Sequence, residues 1–392
     1  MPHLLERRPV YRRADARLSS HSIKVQGEPI GPVRRGDALL WLRPPRVLDG
    51  PAWRDTCLRE EDRLAHVLRS PDRSWAESLS TAAWVERVQA QRAATRAGLL
   101  IPYVAVLDDG RVVGEISFAI DPRTGVAEAS LWVSRDVPRG ARAWLIGMSI
   151  MRVLSLPDPI ARIIAPVACS NPGPAALFAQ LGFTRAVHSE QLRWYDDRWA
   201  DHNVWWLDTG PDVLTHLGRV LTARTPPDIL GGERTISGPA RRRDAWRAAA
   251  LAWLRVRLRA ARRWRPPSSH LASATHGEVS FPLGRVGSLK IAGRPMGLID
   301  VRHDPGTSTL EIWTRIDEDA VADRVAPALL RHARAVGARR ISWSLKPDSP
   351  DQAAAKVAGF RPEGMATAPV WVEPGQHEMW ARLLGDDQSS PS

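Results

Sequence analysis

Apolar residues first gather into a regular pattern at Leu39, where LLWLRPP reads as a strand. DGPAWRDTCLREEDRLAHVL then reads as one helix, opened by Asp49 with Pro51 near its first turn. Residues 80–97 predict a second helix. YVAVLDDG, RVVGEISFAI and VAEASLWVS follow as strands, parted by the turn signals DDG and DPRTG. A helix near 141–154, a strand IARIIAPVA, a helix from Pro172 to Gln180 and closing strands through Leu207 complete the run. This order predicts an α/β fold of mixed α+β order, a twisted mixed sheet with helices inserted between strands after an antiparallel meander.

The pattern breaks where TARTPPDILGGERTISGP concentrates Pro and Gly. Beyond it, RRRDAWRAAALAWLRVRLRAARRWR places Trp246, Ala249, Trp253, Val256, Ala260 and Trp264 on one helical face, with arginines on the others. Strands return at SLKIAGRPMGLIDVRHD, TSTLEIWTRI and ARRISWSL, with helices at 319–336 and 350–358. The expected organisation is a basic arm at 1–38, a domain at 39–210, a linker at 211–239, a second domain at 240–385 and a polar tail at 386–392. An internal repeat supports two domains. GRVVGEISFAIDPRTGVAE and GRPMGLIDVRHDPGTSTLE agree without a gap at eight of nineteen positions, offset by 183. His202, Trp205 and Gly210 recur as His377, Trp380 and Gly385 at offset 175. The pairs imply a duplication.

Composition narrows the function classes. Hydrophobic residues make up 44% and charged residues 25% of the 392 residues, the balance of a globular protein with a sizeable core. No apolar run approaches the roughly 18 residues needed to cross a bilayer, and the N-terminus has no apolar secretory segment. Two cysteines, Cys57 and Cys169, are too few for a disulfide framework or a zinc site, so a reduced, cytoplasmic protein without a metal is expected. The net charge of +12 favours anionic partners such as CoA, RNA or acidic membranes without choosing among them.

NPGPAALFAQLGF at 171–183, followed by WADHNVWWL at 199–207, carries a specific resemblance. It resembles the end of an acetyltransferase domain of the GNAT superfamily. The terminal W-x-D-H, LRPPRVLDGPAW and VAEASLWV are similar to the branch that acetylates ribosomal-protein N-termini (RimJ/RimL-like). The likeness covers residues 39–210 closely and 275–385 more distantly. It implies acetyl-CoA, or another acyl-CoA, as co-substrate and an amine as acceptor: a protein N-terminus, a lysine or a small molecule.

In that superfamily a Q/R-x-x-G-x-G/A loop opens a helix whose N-terminus faces the CoA pyrophosphate, an anion site made of free N–H groups and the helix dipole. Here VPRGARAW supplies Arg139, Gly140, Ala141, Arg142 and Ala143, but Val137 replaces the polar first residue and Arg142 the small last one. Either the turn binds nothing, or Arg142 turns outward or meets a phosphate. The resemblance adds Trp132, Val133 and Asn171 to the cofactor contacts. Asn171 has the alternative of a plain helix N-cap. Glu128, on the strand before the loop, is the candidate base that takes the ammonium proton; the alternative is a surface glutamate.

The second copy departs further. Glu311 to Gly359 spans 48 residues where Glu128 to Gly182 spans 54, and Asp317, Glu318 and Asp319 stand where a phosphate would sit. That copy is expected to be structural. The basic helix at 241–265 either packs its Trp–Ala face on a domain or lies on RNA, the ribosome or an anionic membrane. The overall expectation is an acyl-CoA-dependent N-acetyltransferase with a catalytic first domain; the alternative is a non-catalytic pseudo-acetyltransferase that binds nucleic acid, membrane or protein.

Overall fold

The computed structural model describes residues 29–35, 38–69, 74–121, 124–156, 160–222, 228–229, 250, 253, 273–284, 286–304, 307–316, 321–366 and 377–384. The chain divides into two compact units. One holds Met1–Glu60, Leu79–Ile163 and Asp208–Trp253; the other holds Glu61–Ser78, Ile164–Leu207 and Leu254–Ser392.

Strands β1 (Ile30–Arg35) and β2 (Ala38–Arg43) form an antiparallel hairpin with Val33 opposite Leu40. The arm expected through residue 38 is therefore ordered from Ile30 onward. Its arginines mask a strand whose Ile30 and Val33 are buried. Residues 1–28 lie outside the described residues. A short turn, Val47–Asp49, leads into α1 (Gly50–Arg59). The carboxylate of Asp49 does not cap this helix; it accepts from the Arg46 N–H at 2.7 Å and from the Arg43 guanidinium at 2.7 and 2.8 Å. The segment expected as one helix breaks at Glu60 (φ −115°, ψ 28°) and resumes as α2 (Glu61–Leu68). The short α3 (Trp75–Ser78) and α4 (Thr81–Arg96) follow, the latter capped by Ser80, whose Oγ accepts the Ala83 N–H at 3.2 Å.

Strands β3 (Leu100–Leu107), β4 (Val112–Asp121) and β5 (Val126–Val133) extend the sheet from β2, each antiparallel to the last. Then come α5 (Arg139–Leu154), β6 (Arg162–Ala168), α6 (Pro172–Gln180) and the antiparallel pair β7 (Thr184–Tyr195) and β8 (Arg198–Asp208). The expected linker at 211–239 begins instead with a helix, α7 (Pro211–Thr222), and β9 (Asp228–Ile229), which pairs with β1. Apolar residues four apart explain it: Leu217 and Leu221 are buried. A Cβ on Gly147 of α5 would lie 2.6 Å from Leu221 Cδ2, so the two helices touch where glycine removes a side chain. Residues 230–239 lie outside the described residues. So does the basic segment 241–265, apart from Ala250 and the helical, exposed Trp253.

In the second unit β10 (Ser273–His276), β11 (Val279–Pro282), β12 (Gly287–Ile291), β13 (Arg294–Asp304) and β14 (Thr309–Ile316) form an antiparallel run. After α8 (Ala322–Ala335), β15 (Arg340–Leu345) lies parallel to β14. Beyond α9 (Pro350–Val357), β16 (Arg361–Ala366) and β17 (His377–Leu383) close the run, β17 pairing with both β15 and β16. Gly364 of β16 pairs with Val187 of β7. The core gathers Phe281, Leu289, Ile299, Leu329, Trp343 and Phe360.

The repeated sequences fold as repeated hairpins. β4 and β5 pair from Gly114 with Val133 to Asp121 with Val126; β13 and β14 pair from Gly297 with Ile316 to Asp304 with Thr309. Every pair is displaced by the sequence offset. The preceding strands share an irregularity too. Ala105 pairs with Gly114 and Val106 with Val112, leaving Val113 bulged; Leu289 pairs with Gly297 and Lys290 with Pro295, leaving Met296. The repeated glycine has one cause in both: a Cβ there would strike the carbonyl oxygen of Trp132 or of Arg315.

Candidate active site

Glu128 lies half-buried on β5, opposite Ala119 of β4. Alternation along paired strands puts Glu128, Ser130 and Trp132 on one face, together with Glu115, the partner of Trp132. The predicted base thus faces the side of the sheet that meets α1. Sequence reasoning passed over Glu115. This carboxylate is buried, and its Oε2 accepts the indole N–H of Trp53 from α1 at 2.9 Å and that of Trp132 at 2.8 Å. Arg87 of α4 stands 3.1 Å from Oε1. The available signal was a single charge inside the apolar run VVGEISF; its partner Trp53 is 62 residues away and only the fold brings them together. Cys57 on the same helix is buried, and burial, then the Glu115 charge, push its thiol up, away from a nucleophilic thiolate.

The loop before α5 is closely braced. The Arg135 N–H donates to Glu60 Oε1 at 3.0 Å, the Asp136 N–H to Ser134 Oγ at 3.0 Å and the Val137 N–H to the Ser134 carbonyl at 3.2 Å. Pro138 caps the helix without an N–H of its own. Its carbonyl accepts from Ala141 at 2.9 Å and from Arg142 at 3.2 Å. Arg139 and Gly140, the first two residues of α5, hold the N–H groups that a helix start leaves without an intrahelical acceptor. No acidic side chain stands in this first turn.

Gly140 is exposed, and a Cβ built on it meets nothing within 4 Å. It is not among the positive-φ residues, so the turn does not require glycine for its backbone angles. What glycine provides is open space above the helix start. The Arg142 side chain does not project outward. Its Nε donates to the Val137 carbonyl at 3.0 Å and its Nη2 to the Arg135 carbonyl at 3.3 Å, covering two oxygens that would repel an anion. Open space, helix-start N–H groups and covered carbonyls fit a pyrophosphate. Ala141, Ala143, Trp132 and Val133 are buried, so any contact of theirs with a ligand falls to the backbone or to a restricted edge.

Asn171 opens α6, but its side chain makes no capping hydrogen bond to that helix. His202 is buried, its Nδ1 2.8 Å from the Ala200 carbonyl, as befits a structural residue.

In the second copy, Val133 stands as far from Arg139 as Ile316 does from Ala322, so the six missing residues are not lost from the loop. The helix shrinks from 16 residues in α5 to 14 in α8, and the connection to the next strand shortens with it. Asp317, Glu318 and Asp319 lie outside the described residues. Trp343 on β15 is fully buried, and its indole N–H donates to Thr314 Oγ1 on β14 at 3.0 Å, tying the two parallel strands together. Among the described residues no group of three or more His, Cys, Asp or Glu is placed to hold a metal, and no helix is long and apolar enough to cross a membrane.

Residues 52–204 match the acetyltransferase (GNAT) domain family. Among solved structures, Mycobacterium smegmatis RimJ in complex with CoA-disulfide is 23% identical with a TM-score of 0.46, over 51% of this chain and 97% of that one. The ribosomal-protein-S5-alanine acetyltransferase of Vibrio fischeri is 18% identical with a TM-score of 0.40, over 44% and 94%. The Salmonella typhimurium acetyl transferase that modifies the N-terminal serine of L7/L12 is 18% identical with a TM-score of 0.38, over 44% and 95%. None of the curated proteins compared with the chain matches it.

Proposed function

We propose that the chain is an acyl-CoA-dependent N-acyltransferase, using acetyl-CoA, whose active site lies in the N-terminal GNAT domain. The start of α5 carries the proposal. It combines an exposed Gly140 with open space at its Cβ position, the N–H groups of a helix start and no acidic neighbour in the turn. Acetyl-CoA would bring an activated acyl group. The chain's own part is to hold the pyrophosphate at Arg139 and Gly140 and to take the proton of the substrate ammonium at Glu128, so that the neutral amine attacks the thioester carbonyl and CoA leaves as its thiolate. No covalent enzyme intermediate is required. The backbone of Trp132 and Val133 would guide the pantetheine arm. The amine is a protein N-terminus, a lysine or a small molecule, reached in a cytoplasm where Cys57 and Cys169 remain free.

We assign the C-terminal copy, including β12 to β17, a structural role as the descendant of a duplication. The hairpin registers and the shared bulge support the common origin. The Trp343–Thr314 bond, which closes β14 against β15, supports the loss of a ligand channel there. Calorimetric titration of the full chain with acetyl-CoA tests the activity. Binding is expected, with about 2.7 kcal/mol of added stability at a hundredfold excess over Kd. No heat and no thermal shift would replace this reading by that of a non-catalytic binding protein.

A further inference from the structure

Glu60 interrupts what would otherwise be one helix, and its side chain explains what the interruption does. The residue is 5% exposed. Its Oε1 accepts two donors from the loop before α5, the Ser134 hydroxyl and the Arg135 N–H. Ser134, itself fully buried, passes the constraint on: its Oγ accepts the Asp136 N–H and its carbonyl the Val137 N–H. Three successive amides are thereby turned inward from one carboxylate oxygen. Past Pro138, which has no N–H, the next amides are those of Arg139 and Gly140 at the start of α5.

A buried carboxylate costs several kcal/mol unless hydrogen-bonded. A negative charge beneath an anion site would also weaken that site. Its value there must lie in geometry rather than in attraction. We propose that Glu60 is a positioning residue, which presets the 134–137 loop so that the start of α5 is ready for a pyrophosphate. The assignment rests on the acyl-CoA reading and extends it to a residue on the far side of the sequence from the loop.

Both donors converge on one oxygen, so glutamine can replace glutamate without losing either bond. Calorimetry on the full chain should therefore give Glu60→Gln an acetyl-CoA affinity within about threefold of the wild type. Glu60→Ala should weaken it at least tenfold, the effect of removing hydrogen bonds to a charged group. Ser134→Ala, a smaller change and the fallback if Glu60→Ala does not fold, should weaken it in the same direction. The double variant should be little worse than Glu60→Ala, because the two residues act through one chain of bonds. S-acetylpantetheine, which lacks the pyrophosphate, should inhibit the alanine variants and the wild type alike. Wild-type affinity in both alanine variants overturns the assignment, as does an equal loss for acetyl-CoA and acetylpantetheine. If the wild type itself binds no acetyl-CoA, the acyltransferase reading falls and this one with it.

Discussion

Three residues test the proposed chemistry at the residue scale. Glu128 lies half-buried on β5. If it is the base, Glu128→Gln should lower turnover about 100-fold or more and leave acetyl-CoA affinity unchanged; undiminished rates between pH 6 and 9 would return it to the scaffold. Gly140 and Arg142 ask about the loop. A Cβ at 140 meets nothing within 4 Å outside its own helix backbone, so the fold should tolerate Gly140→Val and ligand binding should suffer, by about tenfold or more. Arg142→Ala uncovers the carbonyls of Arg135 and Val137 and should weaken acetyl-CoA by about 1.5–3 kcal/mol. Tighter binding would mean that the guanidinium obstructs the site. A different titration governs the C-terminal copy. Burial, then the charges of His276 and His303, lower the pKa of His332; burial and Arg331 lower that of His276. The folded state therefore prefers both rings neutral, whereas the unfolded chain takes up protons near pH 6.5. Their contribution is complete above that pH and is lost as pH falls through the lowered folded values. His332→Leu should flatten the acid limb of a urea-stability profile; an unchanged slope would locate the acid sensitivity elsewhere.

At the scale of elements, periodicity recovered whatever had a long stripe or a clear turn. DDG and DPRTG delimit β3, β4 and β5, and α4, α5, α6, α8 and α9 all lie where spacing puts them. Among the features that escaped, three did so for a local reason. β1 carries more charge than its buried Ile30, Pro32 and Val33 can outweigh in a window. The break at Glu60 has no Gly or Pro to announce it, because its cause is a loop some 75 residues away. α7 was absorbed into a Pro- and Gly-rich stretch that begins only at its far end. That helix is the best place to test the corrected boundary. Leu217 is fully buried, so Leu217→Ala should destabilise the chain by about 2–5 kcal/mol in chemical denaturation. A change below about 0.5 kcal/mol, the range of surface substitutions, would restore the linker. The site was legible only in part: the loop and Glu128 follow from motif positions, whereas Glu115 and Glu60 acquire meaning only from partners distant in sequence.

For the whole molecule the question is how many ligands one chain takes. The repeated hairpins share register, bulge and glycine, which are properties needed to fold. They differ in the properties that the proposed pyrophosphate site needs. The loop before α5 has Gly140 in the first turn of its helix; that before α8 has Asp317, Glu318 and Asp319 in sequence, and α8 itself begins at Ala322 after Val321, which offers no capping side chain. Phosphate oxygens gain from helix-start N–H groups and lose by proximity to carboxylates. Farther along, a ligand arm between β14 and β15 would have to displace Trp343, whose burial and hydrogen bond to Thr314 make that expensive. These effects act at separate points and in the same direction. Calorimetry should therefore return one acetyl-CoA per chain. Asp317→Ala with Glu318→Ala should leave that number and the affinity unchanged, since removing the repulsion does not reopen the strands. Gly140→Val should reduce the measured binding as a single transition rather than expose a weaker second site. A stoichiometry of two, or a second transition surviving in Gly140→Val, would give the C-terminal copy a ligand of its own and end its assignment as scaffold.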